Sequence, residues 1–129
     1  MGMYPKEYRY TKTHEYIKVE GHTGYVGLTH YAQDQLGDIV FAELPEVGRT
    51  LKQNEVYGVV ESVKAVSDCY TPVAGKVVKV NGKLVDAPET INKDPHGEGW
   101  MIAIEIANPK DLETLIDGET YEAAPKEHH

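Results

Sequence analysis

Two strand-like runs joined by one eight-residue segment constrain this chain more than any other feature. Val56-Tyr57-Gly58-Val59-Val60 leads into Glu61-Ser62-Val63-Lys64-Ala65-Val66-Ser67-Asp68, and Tyr70-Thr71 with Lys76-Val77-Val78-Lys79-Val80 leads away after a Pro72/Gly75 interruption. Runs rich in β-branched and aromatic residues, bounded by Gly and Pro, read as strands separated by turns. The chain is therefore expected to close a hairpin with Lys64 at its tip. Most turn lysines are solvated side chains with no further role. Lys64 differs in its setting: small apolar Val63 and Ala65 flank it, and Glu61 and Asp68 fence it.

The remaining chain repeats the pattern of short strands and tight turns. Tyr16-Ile17-Lys18-Val19-Glu20 alternates apolar and polar as a half-buried strand does, and Gly21-His22-Thr23-Gly24 turns it into Tyr25-Val26-Gly27-Leu28. Thr29 is an N-cap for a short helix over residues 29–36, stopped by Gly37, with Tyr31 or Ala32 and Leu36 on one face. Residues 1–9 read as an arm or first edge strand, and 38–44 as a strand before the Pro45/Gly48 turn. Asn81-Gly82 signals a turn, 83–99 an irregular stretch, and 100–106 the last strand. Asn108-Pro109 opens a C-terminal helix near 109–116 that Asp117-Gly118 ends, with a further helical turn within 119–124. Two segments echo two others: residues 37–41 resemble 75–79, and 56–61 resemble 100–105. Such duplication predicts two facing sheets.

With 129 residues the chain is expected to be a single domain, with its core over about 10–107 and a helical segment over 108–124. A net charge of −8 argues against nucleic acid or an anionic membrane as partner, since both attract Lys and Arg. An acidic domain of this size is expected to be a monomer that docks with other proteins by salt-sensitive contacts rather than through a large apolar patch. No secretory signal pattern and no membrane-length apolar run occur, so the expected location is cytoplasmic, or the mitochondrial matrix for a processed eukaryotic form. Cys69 is the only cysteine, which excludes an internal disulfide; its expected role is a small side chain on a strand, not an exchanging thiol.

The segment around Lys64 resembles the H protein of the glycine cleavage system, and the likeness spans nearly the whole chain. It includes Tyr10-Thr11-Lys12-Thr13-His14-Glu15-Tyr16, the stretches Val26-Gly27-Leu28-Thr29 and Gly37-Asp38-Ile39-Val40-Phe41-Ala42-Glu43-Leu44-Pro45, and Gly97-Glu98-Gly99-Trp100-Met101-Ile102. Tyr16 departs from the family, which usually has Trp there. The resemblance implies a mainly β lipoyl/biotinyl-type sandwich, the barrel-sandwich hybrid, to which the helices at 29–36 and 109–116 are additions. It also implies that Lys64 carries lipoate in amide linkage.

By the same resemblance the chain is a carrier and not an enzyme. It would shuttle the aminomethyl group of glycine from a pyridoxal-phosphate-dependent glycine decarboxylase to a folate-dependent aminomethyltransferase. Dihydrolipoyl dehydrogenase would reoxidise it, and a lipoate ligase or lipoyltransferase would attach the lipoate. Glu61, three before the lysine, and Gly75, eleven after it, match the positions that matter for lipoylation. A loaded arm bearing a protonated amine needs carboxylates and hydroxyls around it. Thr13, Glu15 and Asp68 are the candidates, with Ala32 and Leu36 as an apolar wall; without the resemblance, Glu15 and Asp68 read as solvated surface charge.

Other readings have less support in the residues. Biotinyl lysines usually stand between methionines, whereas Lys64 stands between Val63 and Ala65. A lipoate relay to 2-oxoacid dehydrogenases would share every motif. The histidines His14, His22, His30 and His96 show no short ligand spacing, so no metal is expected; His128-His129 reads either as native chain or as the remnant of a purification tag. Gly97-Glu98-Gly99 lacks the strand and helix that a dinucleotide site requires.

Overall fold

A computed structural model describes residue 5 and residues 7–123. The strands run β1 (Tyr8–Tyr10), β2 (Glu15–Glu20) and β3 (Thr23–Leu28), then helix α1 (His30–Leu36), β4 (Ile39–Glu43), β5 (Thr50–Leu51), β6 (Val56–Ser62), β7 (Val66–Tyr70) and β8 (Gly75–Val80). Helices α2 (Lys83–Asp86) and α3 (Thr90–Lys93), strand β9 (Ile102–Ile106), a 3-10 helix (Pro109–Thr114), β10 (Ile116–Asp117) and α4 (Gly118–Ala123) complete the order. Two sheets form. The larger has the order β10-β1-β2-β3-β9-β8-β5, the smaller β4-β6-β7, and all pairs are antiparallel.

Strand alternation builds the core between them. Ile17, Val26, Val77, Ile102 and Ile104 of the larger sheet meet Ile39, Ala42, Tyr57, Val60 and Cys69 of the smaller, all buried. A second cluster is tyrosine-rich: Tyr8, Tyr10, Tyr16 and Tyr121 pack with Tyr31 and Ile116. Tyr16 lies over Gly27, its cross-strand partner, and its hydroxyl donates to Pro95 O at 2.7 Å. A buried tyrosine thus finds the acceptor that its phenol needs.

The duplicated segments lie in different sheets, and each carries a bulge at the echoed place: β4 slips between Ile39 and Phe41 and β8 between Val77 and Lys79. The partner strands do not echo residue for residue. Phe41 faces Glu61, but Lys79 faces Ala103, the echo of Val59, so the second pair is slipped by two.

Several expectations need correction. The return strand of the Lys64 hairpin is β7, starting at Val66 inside the eight-residue segment, and β8 belongs to the other sheet. Asn81-Gly82 opens α2 instead of a hairpin, because Asn81 Nδ2 donates to the Glu98 and Trp100 carbonyls and closes a long loop; α2 and α3 occupy the stretch read as irregular. The strand read as 100–106 begins at Ile102.

No α-helix runs through 109–116. Asn108 caps Lys110 N–H and Pro109 starts a turn as expected, but the turn is a 3-10 helix, and Ile116-Asp117 pairs with Tyr10 and Arg9. That pairing covers the outer side of β1, so β1 is not an edge. Asp117 then accepts Thr120 N–H at 2.7 Å and begins α4, where the sequence had suggested a stop. An Asp-Gly pair after an apolar residue fits an end or a beginning equally well, and the sheet contact decides it here. Residue 124 and the terminal histidines lie outside the described residues.

Candidate functional site

The turn between β6 and β7 is tied by its own backbone and by its neighbour. Ser62 N–H donates to the Ala65 carbonyl at 2.8 Å, and Ser62 Oγ accepts the amides of Lys64 at 3.3 Å and Ala65 at 3.0 Å. Val63 N–H donates to Asp38 O at 3.0 Å, anchoring the tip to the corner between α1 and β4. The side chains of Val63, Lys64 and Ala65 remain exposed. The result is a lysine on a fixed stem, with no ion pair among the described residues.

Gly37 shapes that corner. It ends α1 at φ 80° and ψ −158°, a conformation essentially confined to glycine, and a Cβ there would lie 3.5 Å from Lys64 Cε. Asn92 of α3 braces the same corner: its Nδ2 donates to Gly37 O at 2.9 Å and Gln33 Oε1 at 3.0 Å, and its Oδ1 accepts Ile39 N–H at 2.9 Å. Gly37→Ala is expected to lower stability by roughly 1–3 kcal/mol. A urea midpoint equal to that of the parent would contradict this account of the corner.

Between α1 and the hairpin opens a cleft of about 340 Å³. Thr13, Glu15, Ala32 and Leu36 meet there with Ala65, Val66 and Ser67 of the hairpin, while Leu28, Tyr31, His14 and Gln35 complete the walls. Ala65 follows Lys64 directly, so the tip stands at the rim. The structure therefore brings together four of the five proposed cleft residues. Asp68 stands apart: it is exposed and does not line the cleft. The two-residue period of β7 turns Ser67 inward and places Asp68 outside, level with Val59 and Glu43.

Glu15 is not a solvated charge, being only 1% exposed. The hydroxyls of Thr11 (2.8 Å) and Thr13 donate to its Oε1, and Tyr70 N–H donates to Oε2 at 3.1 Å. No Lys or Arg pairs with it among the described residues. Burial pushes its carboxyl up to about 7, and the three hydrogen bonds only partly offset that effect. Glu15 is thus a buried carboxyl at the wall of a cleft with no cation of its own.

Glu61 is exposed on β6, between Phe41 and Val66 in register. Gly75 lies in the other sheet, where an added Cβ would fall 2.1 Å from Glu105 O, so close backbone approach requires glycine there. Cys69 is fully buried against the core, and burial pushes its thiol well up, away from the thiolate form that exchanges with disulfides. No group of three or more metal-ligating side chains occurs among the described residues.

The sequence reading missed Leu28, His14, Tyr31 and Gln35. Leu28 was detectable, because it is the cross-strand partner of Glu15 once the β2–β3 hairpin is registered. His14 was not: it stands at φ 70°, and its Nδ1 lies 2.6 Å from the Tyr121 hydroxyl, a contact made across 107 positions of chain.

The chain matches a family model described as "Glycine cleavage H-protein" over residues 8–128. It belongs to the glycine cleavage H-protein family. Among curated relatives, the glycine cleavage system H protein of Symbiobacterium thermophilum is 59% identical, with 98% of this chain and 99% of that protein covered. That of Brevibacillus brevis is 53% identical over 96% and 98%. A crystal structure of a glycine cleavage system H protein from Mycobacterium marinum superposes with a TM-score of 0.83 at 39% identity, covering 91% of this chain and 94% of that one. H proteins are lipoyl carriers, non-catalytic components of a multienzyme system, and the two-sheet architecture here is theirs. No helix among the described residues is long and apolar enough to cross a membrane.

Proposed function

We propose that Lys64 is the lipoyl attachment site and that the chain carries the aminomethyl group of glycine between the enzymes of glycine cleavage. The donor would be a pyridoxal-phosphate-dependent decarboxylase and the acceptor a folate-dependent aminomethyltransferase, with dihydrolipoyl dehydrogenase restoring the carrier. The bacterial relatives support a cytoplasmic rather than a mitochondrial placement.

The observation that carries this reading is the junction of an exposed, backbone-tied lysine with a cleft whose wall holds an unneutralised buried carboxyl. Lipoate bound as an amide supplies a disulfide that accepts and gives up a one-carbon amine. The chain does the rest. Leu28, Ala32 and Leu36 offer apolar surface suited to a hydrocarbon arm, and Glu15 with Thr13 offers acceptors to an ammonium group. Glu61, exposed beside the tip, is accessible to an attaching enzyme, whereas Gly75 acts through the packing of β8 on β9.

The test begins with lipoate ligase and the purified chain. Intact mass with peptide mapping is expected to place one lipoyl group on Lys64. The modified chain is then expected to support glycine–bicarbonate exchange by the decarboxylase. Complete lipoylation without exchange would reject the glycine-cleavage role and favour a lipoate relay to 2-oxoacid dehydrogenases.

A further inference from the structure

The outer face of the small sheet is unlike an ordinary solvated face. Its cross-strand rows, read from the register, are Phe41–Glu61–Val66 and Glu43–Val59–Asp68. Phe41 is the only phenylalanine of the chain and is 48% exposed, while Val66 is 68%, Val63 at the tip 69% and Val40 at the bulge 55% exposed. The bulge explains how two successive residues come to lie outside. It inserts one residue between Ile39 and Ala42, both buried, so that Val40 and Phe41 stay in solvent together.

The echoed strand provides an internal comparison. At the matching places β8 has the same bulge, with Val77 buried and Val78 and Lys79 outside, and Lys76 faces Glu105 across the ladder. That face carries opposite charges in register, as a face meant for water does. In β4 the position echoing Lys79 is Phe41. An aromatic ring left in water costs about 25 cal/mol per Å² of its apolar surface, and nothing within the described chain recovers it.

Charge marks the same face. Asp38, Glu43, Glu61 and Asp68 are exposed around the apolar residues, and Lys64 is the only cation in β4, β6, β7 and their shared turn. Acylation of Lys64 would remove that cation and leave four carboxylates around Phe41.

We propose that this face, with Phe41 at its centre, is the surface on which the chain docks to the enzymes that work on its arm. The occupant is a protein surface with an apolar hollow for the Phe41 ring, edged by Lys or Arg side chains that meet Glu43, Glu61 and Asp68. The argument for it is charge complementarity together with continuity with the Lys64 tip, which must enter the same partner. This rests on the carrier reading above. It refines the expectation of salt-sensitive docking without a large apolar patch: a single apolar anchor supplies affinity and the acids supply orientation and encounter rate.

The experiment uses fully lipoylated protein, checked by intact mass, and the glycine decarboxylase. Glycine–bicarbonate exchange is measured against carrier concentration for the parent, Phe41→Ala, and the pair Glu43→Gln with Asp68→Asn. Thermal melting checks the fold. Phe41→Ala is expected to raise KM about tenfold with kcat unchanged, as truncation of an interface anchor does. Neutralising the two acids is expected to flatten the dependence of KM on salt. A KM for Phe41→Ala within twofold of the parent would overturn the proposal, as would a dimer of the parent in sedimentation that Phe41→Ala abolishes, which would make the occupant a second copy. If the parent itself supports no exchange, the carrier reading fails instead, and direct binding of the parent and Phe41→Ala to the decarboxylase decides the docking face separately: equal Kd values overturn it.

Discussion

Lys64→Arg is expected to fold like the parent and to take up no lipoate at all. Lys64 is exposed, and the hydrogen bonds of its turn run through the backbone and Ser62 Oγ, so the arginine leaves them intact. Surface changes of this kind stay within about 0.5 kcal/mol. Acylation is another matter. An amide forms on a neutral amine, and lysine gives up its proton far more readily than a guanidinium, which stays protonated throughout the working pH range. The measurement is intact mass after incubation with lipoate ligase, alongside a melting curve. Lipoate recovered on another lysine of the variant would remove Lys64 from its role. Loss of the fold would show instead that the corner at Gly37, where Lys64 Cε passes, tolerates no bulkier head group.

What the sequence made legible, and what it hid, follows from the range of each interaction. The Lys64 hairpin, the Thr29 cap and the Gly37 stop are set by neighbours a few residues apart, and all are present. The end of the chain misled for the opposite reason. Ile116-Asp117 is a strand only because Tyr10 and Arg9 lie beside it, more than a hundred residues away, and no local pattern announces that. Four of the eleven residues that line the cleft were readable in the same way. Thr13 and Glu15 share one segment, and Ala32 and Leu36 share one helical face. Asp68 was placed with them through closeness to Lys64 along the chain. A strand turns alternate side chains to opposite sides, and here Ser67 lies level with buried Val60 while Asp68 lies level with Val59 on the outer face, so closeness along the chain did not bring Asp68 to the cleft. The burial of Glu15 was invisible too, because it depends on β7, whose Tyr70 N–H reaches Oε2 from 55 positions away.

Glu15 should reveal itself in the pH dependence of stability before any lipoate is attached. Its carboxyl is raised from 4.5 to about 7 in the folded protein. Between those values the folded state keeps a proton that the unfolded state has released. The contribution of Glu15 to stability is therefore fully present below about pH 4.5 and is lost as pH rises through 7. A displacement of that size corresponds to about 3 kcal/mol, or roughly 10 °C in melting temperature for a chain of this length. Glu15→Gln holds the same shape without ionising: its amide can donate to the Thr11 and Thr13 hydroxyls while its carbonyl accepts Tyr70 N–H. Melting temperatures of the two proteins are expected to agree near pH 4.5 and to diverge toward pH 8, with the parent lower; the difference between them cancels the other carboxyls. A cation should close that gap. Methylammonium, the smallest model of a one-carbon amine, is expected to raise the parent's melting temperature at pH 8 more than sodium does, and to leave Glu15→Gln unaffected. By holding an amine as ammonium, Glu15 would deny it the lone pair through which an adjacent carbon–sulfur bond breaks. A buried charged hydrogen bond contributes about 1.5–3 kcal/mol, so ammonia should leave glycine-loaded Glu15→Gln roughly ten- to a hundredfold faster than the parent. Parallel melting curves across pH would show that Glu15 is ionised without penalty. Equal ammonia release from both proteins would mean that this carboxyl does not protect the cargo.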